Sequence, residues 1–334
     1  MNKSFFCLFA VLIIASCGKS PDTHPVVPVI PVVPQPVFSV LAGSGLQGTA
    51  DGAGSSASFY YPVGLALDLS GNILVADSYN NMIRKVTPAG IVTTIAGTGL
   101  KGNADGPALQ ATFFTPHDLI VDRAGNIFLL DLAVIQGNGQ NIRKISTSGV
   151  VTTIPVIYNG KPLNRDYNEL TMDAAGNIFL ADYEDLDVKK MTPAGAVTAI
   201  KFDGSVNIEG FVFDSSGNLF LSDNLNPRIL ELKTDGSYSV FCKTFTQTVN
   251  GVDSQVNLLS PISLVIDKSG NFFLDDFGAI RKITPAGVAT TVIPDVYPDK
   301  NSDGFTHTDV MDASGNLYIP DRDNNKIRKI VFQH

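Results

Sequence analysis

The chain has no tryptophan, three cysteines and four histidines in 334 residues. The cysteine count excludes two architectures at once. After Cys17 only Cys242 remains, so neither a disulfide framework nor a cysteine-based zinc cluster can be assembled. Beyond the first sixteen residues there is no apolar run long enough to span a bilayer. Basic residues are outnumbered, 24 against 32 acidic, and the formal net charge of −8 disfavours nucleic acid and anionic membrane surfaces as partners. No G-x-S-x-G element or Ser/His/Asp signature is present. Cys242, within the apolar "YSVFCKTF", reads as a packed thiol rather than a reactive one.

The N-terminus reads as an address. A short basic start, an apolar run from Phe5 to Ala15 and small residues before Cys17 form a secretory signal peptide over 1–16. Ile14-Ala15-Ser16-Cys17 resembles a bacterial lipobox, which implies lipidation at Cys17; the alternative is an ordinary signal peptide that contains a cysteine. Residues 17–36 then carry prolines at 21, 25, 28, 31, 34 and 36. That density favours a polyproline II stalk of roughly 3.1 Å per residue. The expectation is a domain held in the cell envelope, extracytoplasmic, touching membrane only through its lipid.

Residues 37–334 repeat. Asp-x-x-Gly-Asn begins at Asp68, Asp122, Asp173, Asp214, Asp267 and Asp312, and a second aspartate follows each asparagine by five residues: Asp77, Asp131, Asp182, Asp223, Asp276 and Asp321. Basic strands such as "MIRKVT" and "KIRKIV" come next in most units, and "TPAG" recurs verbatim at 87–90, 192–195 and 284–287. Short β-branched runs separated by glycine-bearing turns are hairpin signals, and the aspartates read as turn residues. Each unit therefore predicts four antiparallel strands. One such sheet cannot bury both faces alone, whereas six arranged radially can, which predicts an all-β, six-bladed β-propeller. The sixth unit ends after its third strand, "KIRKIVFQH", and the missing strand is written at the other end as "VFSVLAG" (37–43). The N-terminal strand is expected to complete the last blade.

The pattern "PVGLALDLSGNILVADSYNNMIRKVTPAGIVTTIAGTG" (62–99) and its five relatives resemble the NHL-repeat family. Unit four departs furthest, with "RILELKTDG" in place of the Arg-Lys strand. Two glycine-rich stretches, "GSGLQGTADG" (43–52) and "GTGLKGNADG" (97–106), contain the G-x-G-x-x-G spacing of dinucleotide sites. They recur at the repeat interval and lead back into a strand rather than a helix, so they read as inter-blade connections on the face of the channel mouth. The Arg-Lys pairs (Arg84-Lys85, Arg143-Lys144, Arg281-Lys282, Arg328-Lys329) read as solvated strand positions spread over different blades.

In a propeller the first strand of each blade lines the central channel. Counting five back from each first aspartate gives a ring of Val63, His117, Asn168, Glu209, Ile262 and His307. His117, Glu209 and His307 alternate around it and make a sound ligand set for zinc or a similar divalent ion. The layout resembles the metal-binding lyase domain of peptide-amidating enzymes and, more loosely, six-bladed lactonases that hold calcium. Asp118 and Glu169, one residue further on, are candidates by position for a base or substrate clamp. The alternative is a polar, water-filled rim. No certain cofactor follows, and no catalytic residue is assigned. Two functions stay open: a monomeric binding or scaffold protein that takes a polypeptide or glycan on its loop face or channel mouth, and a metal-dependent lyase or lactonase.

Overall fold

The computed structural model describes residues 36–131, 141–162, 167–183, 185–249, 252–294 and 308–332. Residues 1–35, which carry the expected signal peptide, Cys17 and all but the last residue of the expected proline stalk, lie outside the described residues, as does His307.

Six antiparallel sheets follow one another along the chain. Blade 1 is Pro62–Leu67, Ile73–Asp77, Met82–Val86 and Ile91–Ala96. Blade 2 is Pro116–Val121, Ile127–Asp131, Asn141–Ile145 and Val150–Ile154. Blades 3 and 4 repeat this from Tyr167–Met172 to Val197–Ile200 and from Ile208–Phe213 to Tyr238–Cys242. Blade 5 runs from Pro261–Ile266 to Ala289–Ile293. Blade 6 has Val310–Met311, Leu317–Asp321 and Lys326–Val331, and its fourth strand is Val37–Ala42. The N-terminal strand pairs antiparallel with the last one, from Val37 opposite Val331 to Ala42 opposite Ile327. Chain closure is as the sequence predicts.

Three blades exceed four strands. Gly52–Ala53 adds an edge to blade 1 beside Ile91–Val92, and Gly106–Pro107 does the same for blade 2. In blade 5 a hairpin, Thr244–Val249 and Val252–Asn257, lies outside the fourth strand, joined to it by the parallel pairing of Thr246 with Thr290. These additions cover outer edges that would otherwise present unpaired backbone groups.

Six apolar clusters, one at each blade junction, hold the ring. Between blades 1 and 2, for example, Leu74, Ala76 and Ile83 pack against Leu119, Leu129 and Val151. Tyr318 and Ile327 of blade 6 meet Leu65, Val75 and Val92 of blade 1, which closes the circle. Strand 2 of every blade is fully buried along its length, as expected of a strand covered on both faces.

The repeated turn chemistry is local. Asp68 Oδ1 accepts from the backbone N–H of Ser70 and Asn72, and Oδ2 accepts from Asn72 Nδ2. The same three bonds recur at Asp122, Asp173, Asp214, Asp267 and Asp312. The glycine stretches are inter-blade connections, and their glycines are steric. Gly97 has φ +94°, and a Cβ there would stand 2.5 Å from the Asn81 carbonyl oxygen. Gly97→Ala is therefore expected to destabilise the protein by more than about 1 kcal/mol, since both the backbone region and the space are denied to alanine. A thermal melt unchanged from wild type would contradict this.

One reading is corrected. The arginines of the Arg-Lys pairs are not solvated: Arg84 and Arg143 are completely buried and Arg281 nearly so. Alternation sends the two residues of each pair to opposite faces, and the arginine faces inward because the second aspartate of its own blade waits there. Arg84 binds Asp77 at 2.7 Å, Arg143 binds Asp131 at 2.9 Å, Arg281 binds Asp276 at 3.0 Å and Arg328 binds Asp321 at 2.5 Å. Blade 3 uses Lys189 on Asp182. In blade 4 Leu230 occupies the arginine register, and Arg228, two residues earlier on the same face, reaches Asp223 at 2.9 Å. Three of the four lysines lie over aromatic rings of strand 2: Lys144 over Phe128, Lys282 over Phe273 and Lys329 over Tyr318. The second aspartates are thus more than turn residues. The glycine loops also contribute: Asp51 and Asp105 bind the second nitrogen of Arg84 and Arg143 at 2.8 and 3.0 Å.

Candidate functional site

The inner strands begin with an irregularity. Pairing with strand 2 is interrupted between Pro62 and Leu65, Pro116 and Leu119, Tyr167 and Leu170, and Pro261 and Leu264. The interrupted stretches of blades 2 and 3 carry His117, Asp118 and Glu169.

The polar centre is one residue beyond the ring of His117 and Glu209. Thr308 of blade 6 donates from Oγ1 to Asp118 Oδ1 of blade 2 at 2.8 Å and lies 3.2 and 3.3 Å from the carboxyl oxygens of Glu169 in blade 3. Three blades are thereby bridged across the channel. Asp118 also accepts from the backbone N–H of Leu119 and of Leu170, both at 2.8 Å. Asp118 is fully buried and Glu169 almost so. Burial, then the charges of Asp118 and Glu209, push the Glu169 carboxyl well above the usual range, and burial raises Asp118 to about 6.

Glu209 lies nearby on blade 4, half-buried, and its Oε1 accepts from the Tyr183 hydroxyl and from Asn207 Nδ2. His117 is half-buried at the start of its strand. Asn168 lies in the inner strand of blade 3, its side chain outside the described residues, and His307 lies outside them altogether. The structure thus brings Asp118 and Glu169 together with Thr308, a residue the sequence reading passed over because threonine carries no strong site signal.

Among the described residues, the three-member group of metal-type ligands that converges is Asp182, Asp185 and Asp187. Lys189 Nζ already sits among them, at 3.1, 2.9 and 2.5 Å. Its ammonium neutralises the charge a cation would be drawn to, so the cluster is a blade 3 variant of the arginine clamp. Cys242 is buried, its thiol donates to the Thr244 carbonyl at 3.2 Å, and burial pushes its pKa up.

The inner carboxyls set a pH dependence. A carboxyl whose folded pKa is raised takes up its proton in the folded state first, so its stabilising contribution is present at low pH and lost as pH rises through the folded value. Glu169→Gln, which keeps a donor and cannot ionise, is expected to melt close to wild type near pH 4.5 and above it at pH 7.5, by a few degrees. A difference that does not widen with pH would contradict the assignment.

Residues 235–332 match the Teneurin NHL domain family, and residues 59–85 match the NHL repeat family. NHL repeat-containing protein 2 of Gallus gallus is 32% identical over 114 residues, covering 33% of this chain and 15% of that protein. The curated relatives it matches are covered over 15% of their own length. In fold, an auxiliary nutrient binding protein from Bacteroides thetaiotaomicron superposes with a TM-score of 0.64 at 15% identity, over 90% of this chain and 77% of the other. A streptogramin B lyase superposes with a TM-score of 0.58 at 13% identity, over 89% and 98%. At these identities the likeness is one of architecture. The matches identify NHL repeats within this chain, and the solved structures share its β-propeller architecture.

Proposed function

We propose that this protein is a binding protein, tethered at the cell envelope, that takes a polypeptide or glycan on the loop face of its propeller. The observation that carries the reading is an aromatic group at the junction of blades 6 and 1. Tyr61 holds φ +58°, a left-handed conformation rare for a bulky residue, with its N–H bonded to Asn325 Oδ1 at 2.9 Å. Its ring stacks on Tyr79 with centroids 4.4 Å apart, Tyr60 meets Tyr79 edge-on at 5.1 Å, and the Arg322 guanidinium lies 5.1 Å from the Tyr61 centroid. Backbone strain held in place by a neighbouring blade is a feature of functional sites. Loop residues Leu46, Leu100 and Phe277 are each at least 70% accessible. Exposed aromatic and aliphatic groups on loops set by a rigid scaffold suit ligand capture.

The test is a screen of the protein against glycan and peptide arrays. At least one ligand is expected to lose roughly tenfold or more in affinity in Tyr79→Ala, a loss typical of an interface aromatic, while Leu69→Ala on the turn face leaves it unchanged. Binding in neither class, or binding indifferent to Tyr79, would sink the proposal.

A second reading, a metal-dependent lyase or lactonase using His117, Glu209 and His307, is favoured by the placement of His117 and Glu209 near the buried carboxyls. The likeness in fold to a streptogramin B lyase is in keeping with it.

A further inference from the structure

Below the Asp118–Glu169–Thr308 bridge the channel opens into a cavity of about 330 Å³ lined by all six inner strands. Leu65, Leu119, Leu170 and Leu264 at its inner end belong to the inter-blade clusters and leave it almost no side-chain surface, so polar groups share the wall there. Leu67, Val121, Met172, Ile266 and Met311, half-buried, mark where it widens toward the turn face. Glu169, Thr308 and Asp309 are its polar groups near the bridge.

Asp309 is the anomaly. It is 4% accessible, its own N–H donates to Ser263 Oγ at 3.1 Å, and its Oδ1 is buried with no hydrogen-bond partner among the described residues. The aspartate that ends strand 2 in each blade has an arginine or lysine, whereas Asp275, also completely buried, lies close enough to Asp309 to act on its charge. Asp118, Glu169 and Asp309 have neither arginine nor lysine among the described residues. Leaving a buried acceptor unmatched costs free energy unless a ligand supplies the donor. A pocket of this size with aliphatic side chains on part of its wall and a few convergent polar groups at one end is a usual form of a small-molecule site.

We infer that this cavity binds a small aliphatic ammonium compound, its hydrocarbon against Leu67, Val121, Met172 and Ile266 and its N–H groups donating to Asp309 Oδ1 and the Glu169 carboxyl. An ammonium brings donors and no acceptor, which suits a site whose groups are acceptors when ionised. The site is distinct from the loop face, and its failure would leave the binding proposal above untouched.

The experiment is calorimetric titration of the full chain with n-hexylammonium, 1-hexanol, sodium hexanoate and calcium chloride at neutral pH. Saturable binding of n-hexylammonium is expected, with 1-hexanol at least roughly tenfold weaker and hexanoate without measurable binding. Asp309→Asn should weaken n-hexylammonium by roughly tenfold or more. Thr171→Trp, which narrows the half-buried wall and keeps every carboxyl, should block it while the protein melts cooperatively. Equal affinity for the alcohol and the ammonium would overturn the inference, as would calcium binding lost in Asp309→Asn without any ammonium binding. Absence of n-hexylammonium binding, or binding that survives Thr171→Trp, would overturn it as well.

Discussion

Deleting residues 37–42 from the full chain is expected to collapse the cooperative melt and lower its midpoint by roughly 10 °C or more. The strand makes five paired positions with Lys326–Val331, and at about 0.5–1.5 kcal/mol per hydrogen bond the ladder alone is worth several kcal/mol. For a chain of this size each kcal/mol moves the midpoint by roughly 2–4 °C. Two further losses add to the ladder. Ala42, fully buried, and Leu41 leave the cluster between blades 6 and 1, and Lys326–Val331 becomes an open edge able to pair with another chain. Restoring the strand in a new place tests the cause. Val37 stands opposite Val331, so grafting 37–42 after residue 332 through a short turn recreates the hairpin connection used in blades 1 to 5. That graft should recover most of the lost midpoint. An unchanged melt on deletion would show that the ring does not depend on its closure.

Arg84→Ala is expected to be the most damaging single substitution, at about 3–5 kcal/mol, because it strands a buried carboxylate. Asp77 is completely buried, and its partners are Arg84, Asn80 Nδ2 and the Tyr60 N–H at 2.7 Å. Arg84 also donates to the carbonyls of Ser58, Thr49 and Ala50, so one guanidinium fixes strand 2, strand 3 and the incoming glycine loop. Arg84→Lys keeps the charge and loses the planar fork, and should fall between wild type and alanine. Asp51→Ala should cost no more than about 1 kcal/mol, because Asp51 is half-exposed and water replaces what it loses. If Arg84→Ala and Asp51→Ala prove equally mild in denaturant unfolding, the clamp is not what holds the blade.

Much of this architecture is legible in the sequence because its signals are local. Asp68 and its five counterparts bond within their own turns, so spacing alone reveals them, and the incomplete sixth unit announces the strand at 37–42. The burial of Arg84 is not local. An arginine beside a lysine looks solvated until the aspartate of the neighbouring strand and the loop carboxylate of Asp51 are placed around it, and those partners lie 7 and 33 residues away. Of the candidate site residues, Asp118 and Glu169 were legible by position, one residue beyond the ring counted from the turns. Thr308, which joins them from 190 residues along the chain, was not, because that contact exists only once the ring is closed. The unpaired Oδ1 of Asp309 has no sequence signature at all, since nothing near it in the chain tells that no donor will arrive.

The choice between capture and catalysis turns on one measurement: the metal content of protein purified without added ions, compared with the His117→Ala/His307→Ala double variant. A loop-face binding protein predicts far less than one equivalent of metal in both. One equivalent of zinc or calcium in the wild type, lost in the double variant, would contradict that account and establish a metal centre at the channel mouth.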